Sequence, residues 1–281
     1  MATKKTNTAG AVSKRKVPAK KRTPKVTKKK DPVDKKQDAT KDMLKNLGNT
    51  ASVVFSFDTT GSMNPCIAQV RQQLRDLTEM MLQDIKGIKI GLVAHGDYCD
   101  NENCINILDL TDDVEKIMKF INETPNTSGG DAPECYEYVL HKAKGLSWPE
   151  SGGAFVLIGD ATPHLTNPHN LNWKEELQDL KAKKVQVFAM QCLKTAYQKE
   201  NNDFWEAVSG EAGTPLLVLE NFKDSSVTLG AVAYASTGHR EDYETFKTVR
   251  SKSLAPEASL NLCSNMATLE AYAASRDTKT E

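Results

Sequence analysis

Residues 53–63 read VVFSFDTTGSM, an apolar run that breaks off into one carboxylate and a pair of spaced hydroxyls. Uninterrupted apolar character over 53–58 is the pattern of a strand buried on both faces. Asp58, Thr60 and Ser62 occupy alternate positions. A chain leaving a strand into a turn can aim all three the same way, and Gly61 permits the bend. Taken alone, the spacing fits equally well a strand end followed by a helix start, since Ser62 ahead of Pro65 would cap well. The rest of the sequence has to decide between these readings.

Working outward, short apolar runs recur at 88–97, 105–111, 154–160, 185–192 and 216–219. Between them lie amphipathic segments at 65–84, 111–123, 132–146, 171–183, 202–212 and 225–235. The first places Ile67, Val70, Leu74, Leu77, Met81 and Ile85 at helical spacing. Thr111 followed by Asp112, Asp113 and Glu115 suits a helix start, where acids meet the positive end of the dipole. Strands alternating with helices predict an α/β, doubly wound, Rossmann-like fold. Its central sheet is mostly parallel, with about six strands and helices on both faces. The strand 105–111 is expected to run antiparallel, because its link to 88–97 is too short for a helical crossover.

In open sheets of this kind, ligands bind at the carboxyl ends of strands. Three such loops share one chemistry: Asp58 to Ser62, the stretch SGGDAPE at 128–134, and Asp160 within IGDAT at 158–162. Carboxylates and hydroxyls are hard donors that suit Mg²⁺, Mn²⁺ or Ca²⁺, and the set contains neither His nor Cys. Cys99, Cys104 and His95 lack the four compactly paired ligands of a zinc site.

The run VVFSFDTTGSM, the loop GGDAPE and the strand LIGDATPH together resemble the von Willebrand factor A family over about residues 51–235. DTTGSM, HGDYCD and the GGD-x-PE pattern are similar to the branch that accompanies the alpha-kinase domain in amoebal kinases. The resemblance implies a metal-ion-dependent adhesion site, with Asp58, Thr60, Ser62 and Asp160 as ligands and an acidic group of a partner in the last position. It also implies a second-loop Thr. Here Asp131 stands at that place and is expected either to bind directly or to act through water, with Thr127 and Ser128 as substitute donors. Glu134 is expected to charge the start of the helix that follows. His95, Asp97, Tyr98, Asp100 and His164 are candidates for a partner-binding rim, against the alternative of solvated turns, and His169 is weighed in the same way. Cys66 and Cys135 flank the metal loops as small thiols that could approach each other.

The net charge of zero conceals an asymmetry. Residues 1–36 carry fourteen Lys/Arg and two acids, leaving a body of −12 behind an arm of +12. The arm has almost nothing to bury, so 1–46 is expected to be disordered. Residues 47–235 form the domain, and 236–281 a C-terminal extension, partly helical around 266–274 or disordered. Lys14, Arg15, Lys16, Lys20, Lys21, Arg22, Lys28, Lys29 and Lys30 form clusters like nuclear localisation signals. They could also contact nucleic-acid phosphates or an anionic membrane surface, or serve as a solubilising tail. No aromatic residue is interleaved for base stacking. No run approaches the roughly 20 apolar residues of a membrane span, and no apolar stretch follows the first charges as in a secretory signal. The expected compartment is therefore intracellular, nucleus or cytoplasm, with reduced cysteines.

The function expected is a metal-dependent protein-binding module using Mg²⁺ (or Mn²⁺/Ca²⁺) to grip an acidic group on a partner protein. A nucleic-acid- or chromatin-associated role through the arm is the alternative. An enzyme is not expected: the GxxxxGK[ST] phosphate loop and the kinase HRD and DFG runs are missing, and no paired general base is evident.

Overall fold

A computed structural model describes residues 52–65, 67–84, 87–194, 198–219, 228, 230–232 and 260–277. The basic arm, Cys66, Ile85 and most of 225–235 lie outside the described residues. Six strands form one sheet in the order β3-β2-β1-β5-β7-β8. They are β1 (Ser52–Asp58), β2 (Lys89–His95), β3 (Ile105–Thr111), β5 (Gly153–Gly159), β7 (Val185–Cys192) and β8 (Leu217–Leu219). All neighbours pair in parallel except β2 with β3, which is antiparallel as its short connection requires. Two-residue strands β4 (Pro133–Glu134) and β6 (Thr162–Pro163) make a separate parallel pair.

The strand sequences account for this layering. Every residue of β1 is buried, as are all but one in β5 and in β7, because helices cover both faces. β3, at the edge, is mostly partly buried or exposed, with Leu110 its one buried residue. On one face, α1 (Ile67–Asp84) and α2 (Val114–Glu123) place Val70, Leu74, Leu77, Met81, Ile117 and Ile121 against Phe55, Phe57 and Val156. On the other, α3 (Tyr136–Ala143), α4 (Trp173–Ala182) and α5 (Lys199–Ala212) pack Tyr136, Leu140, Leu177 and Trp205 over Val54, Phe155 and Val187. Each such aliphatic side chain, once buried, contributes roughly 1.5–3 kcal/mol.

Two expectations change. The helix read over 132–146 starts only at Tyr136 and ends at Ala143, because Pro133–Glu134 pairs as a strand first. Within the C-terminal extension, α6 (Leu260–Asp277) is far longer than the stretch expected around 266–274. Its Leu269 and Ala273 join the core. Asn265 accepts from the Val218 N–H (3.1 Å) and donates to the Val218 carbonyl (2.8 Å), supplying the edge strand β8 with the partners its open side lacks.

Candidate metal centre

The parallel register brings the carboxyl ends of β1 and β2 side by side, with Asp58 opposite His95 and Phe57 opposite Ile158 of β5. Asp58 is fully buried there. One carboxylate oxygen accepts the Thr60 amide (2.8 Å) and the Thr60 hydroxyl (2.6 Å); the other accepts the Tyr136 hydroxyl (2.9 Å). The Thr60 and Ser62 hydroxyls lie 3.2 Å apart, and Ser62 donates to Asp160 at 3.0 Å. Asp58, Thr60, Ser62 and Asp160 are thus joined in one hydrogen-bonded set across two loops.

The second loop is stitched to the first. The Thr59 hydroxyl donates to the His95 carbonyl and lies 2.9 Å from that of Thr127, while the Thr127 amide donates to the Thr59 carbonyl. Asp100 braces the arrangement by accepting amides from Asp97, Ser128 and Gly129. Its carboxylate is thereby occupied as a support rather than free on the rim. Thr127 and Ser128, weighed as substitute donors, serve in this stitching.

Tyr136 was not singled out by the sequence. Its hydroxyl donates to Asp58 and accepts the amides of Asp160 (3.2 Å) and Ala161 (3.3 Å), tying both aspartates to α3. The phenol fits only because residue 159 is Gly: a Cβ there would collide with the hydroxyl.

Asp131 and Glu134 are both placed otherwise than the sequence suggests. Asp131 is exposed and lines an open cleft of about 270 Å³ with Ser62, Asp160 and Asn201, but it makes no hydrogen bond to the four-residue set. Its carboxylate comes within 4.8 Å of ligand atoms of Asp97 and His164 instead. Glu134 is 4% exposed and does not cap α3, whose N-cap is Cys135. Pairing of β4 with β6 turns Glu134 inward, where one of its oxygens has no hydrogen-bond partner. No local pattern in the sequence announces a two-residue strand.

The electrostatics fit a cation. Burial raises Asp58 to about 6, against the hydrogen bonds from Thr60 and Tyr136. Burial and then the Asp58 charge raise Asp160 to about 6 as well. Burial, followed by Asp58 and Asp97, pushes Glu134 up to about 9. Three buried carboxyls with one orphaned oxygen are costly to ionise together, and a hard divalent ion relieves that cost. The donors are all oxygen, as Mg²⁺, Mn²⁺ or Ca²⁺ require.

The expected rim is partly overturned. His95 is fully buried, edge-on to Tyr136 at 5.2 Å, and burial pushes its imidazole down to about 3, so it is a neutral core residue. Asp97 is 3% exposed, with His164 Nε2 at 2.6 Å. Tyr98 donates to Glu137 at 2.7 Å, which also accepts the His164 amide. His169 is exposed and stacks on Tyr138 at 4.4 Å. Cys135 has Cys104 as its neighbour, with sulfurs 3.6 Å apart, and both are buried.

The sequence profile of the von Willebrand factor A domain matches residues 52–210. An alpha-protein kinase of Dictyostelium discoideum, vwkA, is 25% identical over 122 residues, covering 42% of this chain and 20% of the kinase. The chain therefore matches about a fifth of that relative's length. Among solved structures, the pilus adhesin SpaC of Lactobacillus rhamnosus GG superposes with a TM-score of 0.55 at 10% identity, over 69% of this chain and 31% of the adhesin. Proximal thread matrix protein 1 of the mussel byssus, with a zinc-occupied MIDAS motif, gives 0.47 at 18% identity, over 66% and 47%. Among the described residues, no helix is long and apolar enough to cross a membrane.

Proposed function

Because this chain belongs to the von Willebrand factor A domain family, we propose that it is a metal-dependent protein-binding module whose divalent cation grips an acidic group on a partner. The observation that carries this reading is the hydrogen-bonded set of Asp58, Thr60, Ser62 and Asp160, with the orphaned oxygen of Glu134 beside it. A strand end with only a structural role has no reason to gather three buried acids. Asp58 and Asp160 would hold the ion with the hydroxyls of Thr60 and Ser62, and Glu134 takes the place expected of Asp131 as the second-loop acid. Mg²⁺ or Mn²⁺ would supply a Lewis-acidic point for a partner carboxylate. Ser62 is exposed and the cleft is open, so that carboxylate has a path to the ion.

A binding role is favoured over a catalytic one. Beside the cleft Asp58 is engaged by Thr60 and Tyr136 and Asp160 by Ser62, and His95, a nearby imidazole, is buried and held neutral. The test uses the full chain as bait against a lysate, with Mg²⁺ and with chelator, comparing wild type with Asp58→Ala. Captured proteins should depend on Mg²⁺ in the wild type and be missing with Asp58→Ala. Equal capture by the variant under chelation would end the reading.

A further inference from the structure

Beside the set described above lies a second group of donors of different chemistry. Ligand atoms of Asp97, Asp131 and His164 all lie within 4.8 Å of one another. They come from three separate segments: Asp97 follows β2, Asp131 precedes β4, and His164 follows β6. We propose that Asp97, Asp131 and His164 hold a second metal ion, of the zinc class, next to the hard-cation centre. This site does not depend on the adhesion reading of the first.

The donor set is the first argument. An imidazole nitrogen with two carboxylates is a borderline combination that suits Zn²⁺ or Co²⁺, whereas Mg²⁺ and Ca²⁺ take oxygen alone. Donors on one tetrahedral ion stand about 3.4 Å apart for bonds near 2.1 Å, so Asp131 closes in from within 4.8 Å while Asp97 and His164, 2.6 Å apart, open slightly, both by side-chain adjustment. Asp131 is exposed and free to make it.

The packing of the surroundings is the second. His164 is held from behind by its backbone amide on Glu137 (3.2 Å), while its Nε2 faces Asp97 at 2.6 Å. Gly130 brings the second loop hard against Cys99 and Asp97: a Cβ there would stand 2.8 Å from the Cys99 sulfur and 3.5 Å from Asp97 Oδ2. The bare backbone at residue 130 thereby leaves room for an exposed thiol next to the group, as a donor for a fourth position.

Glu134, already set beside the first centre, bears on the second as well. It is 4% exposed, and one of its oxygens has no partner. A single imidazole is little compensation for this many carboxylates, and a second cation on the Asp97 side would complete it.

The competing reading is that His164 and Asp97 form an ion pair and nothing more. Full-length protein titrated with Co²⁺ in excess Mg²⁺ separates the two, with bound metal counted after desalting and the visible spectrum recorded. One Co²⁺ per chain should remain, with a tetrahedral d–d spectrum. His164→Ala should weaken it by at least about tenfold, the loss typical of even an outer-sphere partner. Asp131→Asn, an exposed change that leaves the core untouched, should do the same and guards against misfolding of the first variant. Asp58→Ala should lose Mg²⁺ binding and keep Co²⁺. No Co²⁺ retained over Mg²⁺, or equal retention in both His164→Ala and Asp131→Asn, would reduce the group to an ion pair and leave the first centre unaffected.

Discussion

Asp58→Asn in metal-free protein tests the electrostatics of the centre directly. Asp58 titrates at about 6 in the folded chain against an ordinary value of 3.8. At about 1.36 kcal/mol per pH unit, that difference corresponds to ~3 kcal/mol. A carboxyl whose folded value is raised favours the native state when protonated. Its contribution is therefore complete below pH 3.8 and lost as pH rises through 6. Urea unfolding of chelated wild type from pH 4 to 7.5 should show this loss, and Asp58→Asn should lose ~3 kcal/mol less over the same range. Asparagine also leaves the Tyr136 hydroxyl facing an amide donor, which lowers stability by ~1–2 kcal/mol at every pH. The slope against pH is thus the discriminating quantity, not the value at one pH. Adding Mg²⁺ to the wild type at pH 7.5 should recover the lost stability, and adding it to the variant should not. Identical pH slopes for the two proteins would refute a desolvated carboxyl at this position.

Other substitutions probe the parts the sequence concealed. Because Glu134 stands at about 9, cation uptake at pH 7 should release protons, and Glu134→Gln should release fewer and bind Mg²⁺ at least ~10-fold more weakly; calorimetry in buffers of different ionisation enthalpy reads both. Tyr136→Phe removes a hydroxyl that donates once and accepts twice, so urea unfolding should show a loss of ~1–3 kcal/mol. Asn265→Ala, which strips both bonds from the β8 edge, should cost ~1–3 kcal/mol and speed amide exchange at Val218.

Where the residues carried a strong local pattern, the sequence was enough. The buried strands β1, β5 and β7 read as continuous apolar runs, and the short β2–β3 link forced an antiparallel edge. Asp58, Thr60, Ser62 and Asp160 were legible because each follows such a run at a strand end. Glu134 and Tyr136 were not, since their inward direction depends on pairing between Pro133–Glu134 and Thr162–Pro163, segments too short to show periodicity. His95 misled because polar residues at strand ends usually face solvent, whereas here Tyr136 packs over it. The C-terminal helix showed only a weak amphipathic pattern, and its anchoring by Asn265 is a tertiary contact 47 residues away in sequence.

The central claim is that the oxygens of Asp58, Thr60, Ser62 and Asp160 surround a divalent ion. Anomalous difference density from a crystal of the full chain grown with Mn²⁺ measures this most directly. The expected result is a peak bounded by those four side chains, in contact with the Ser62 hydroxyl and open on the side of the cleft. A map with no peak there, the Thr60–Asp58 and Ser62–Asp160 hydrogen bonds standing as they do here, would contradict it.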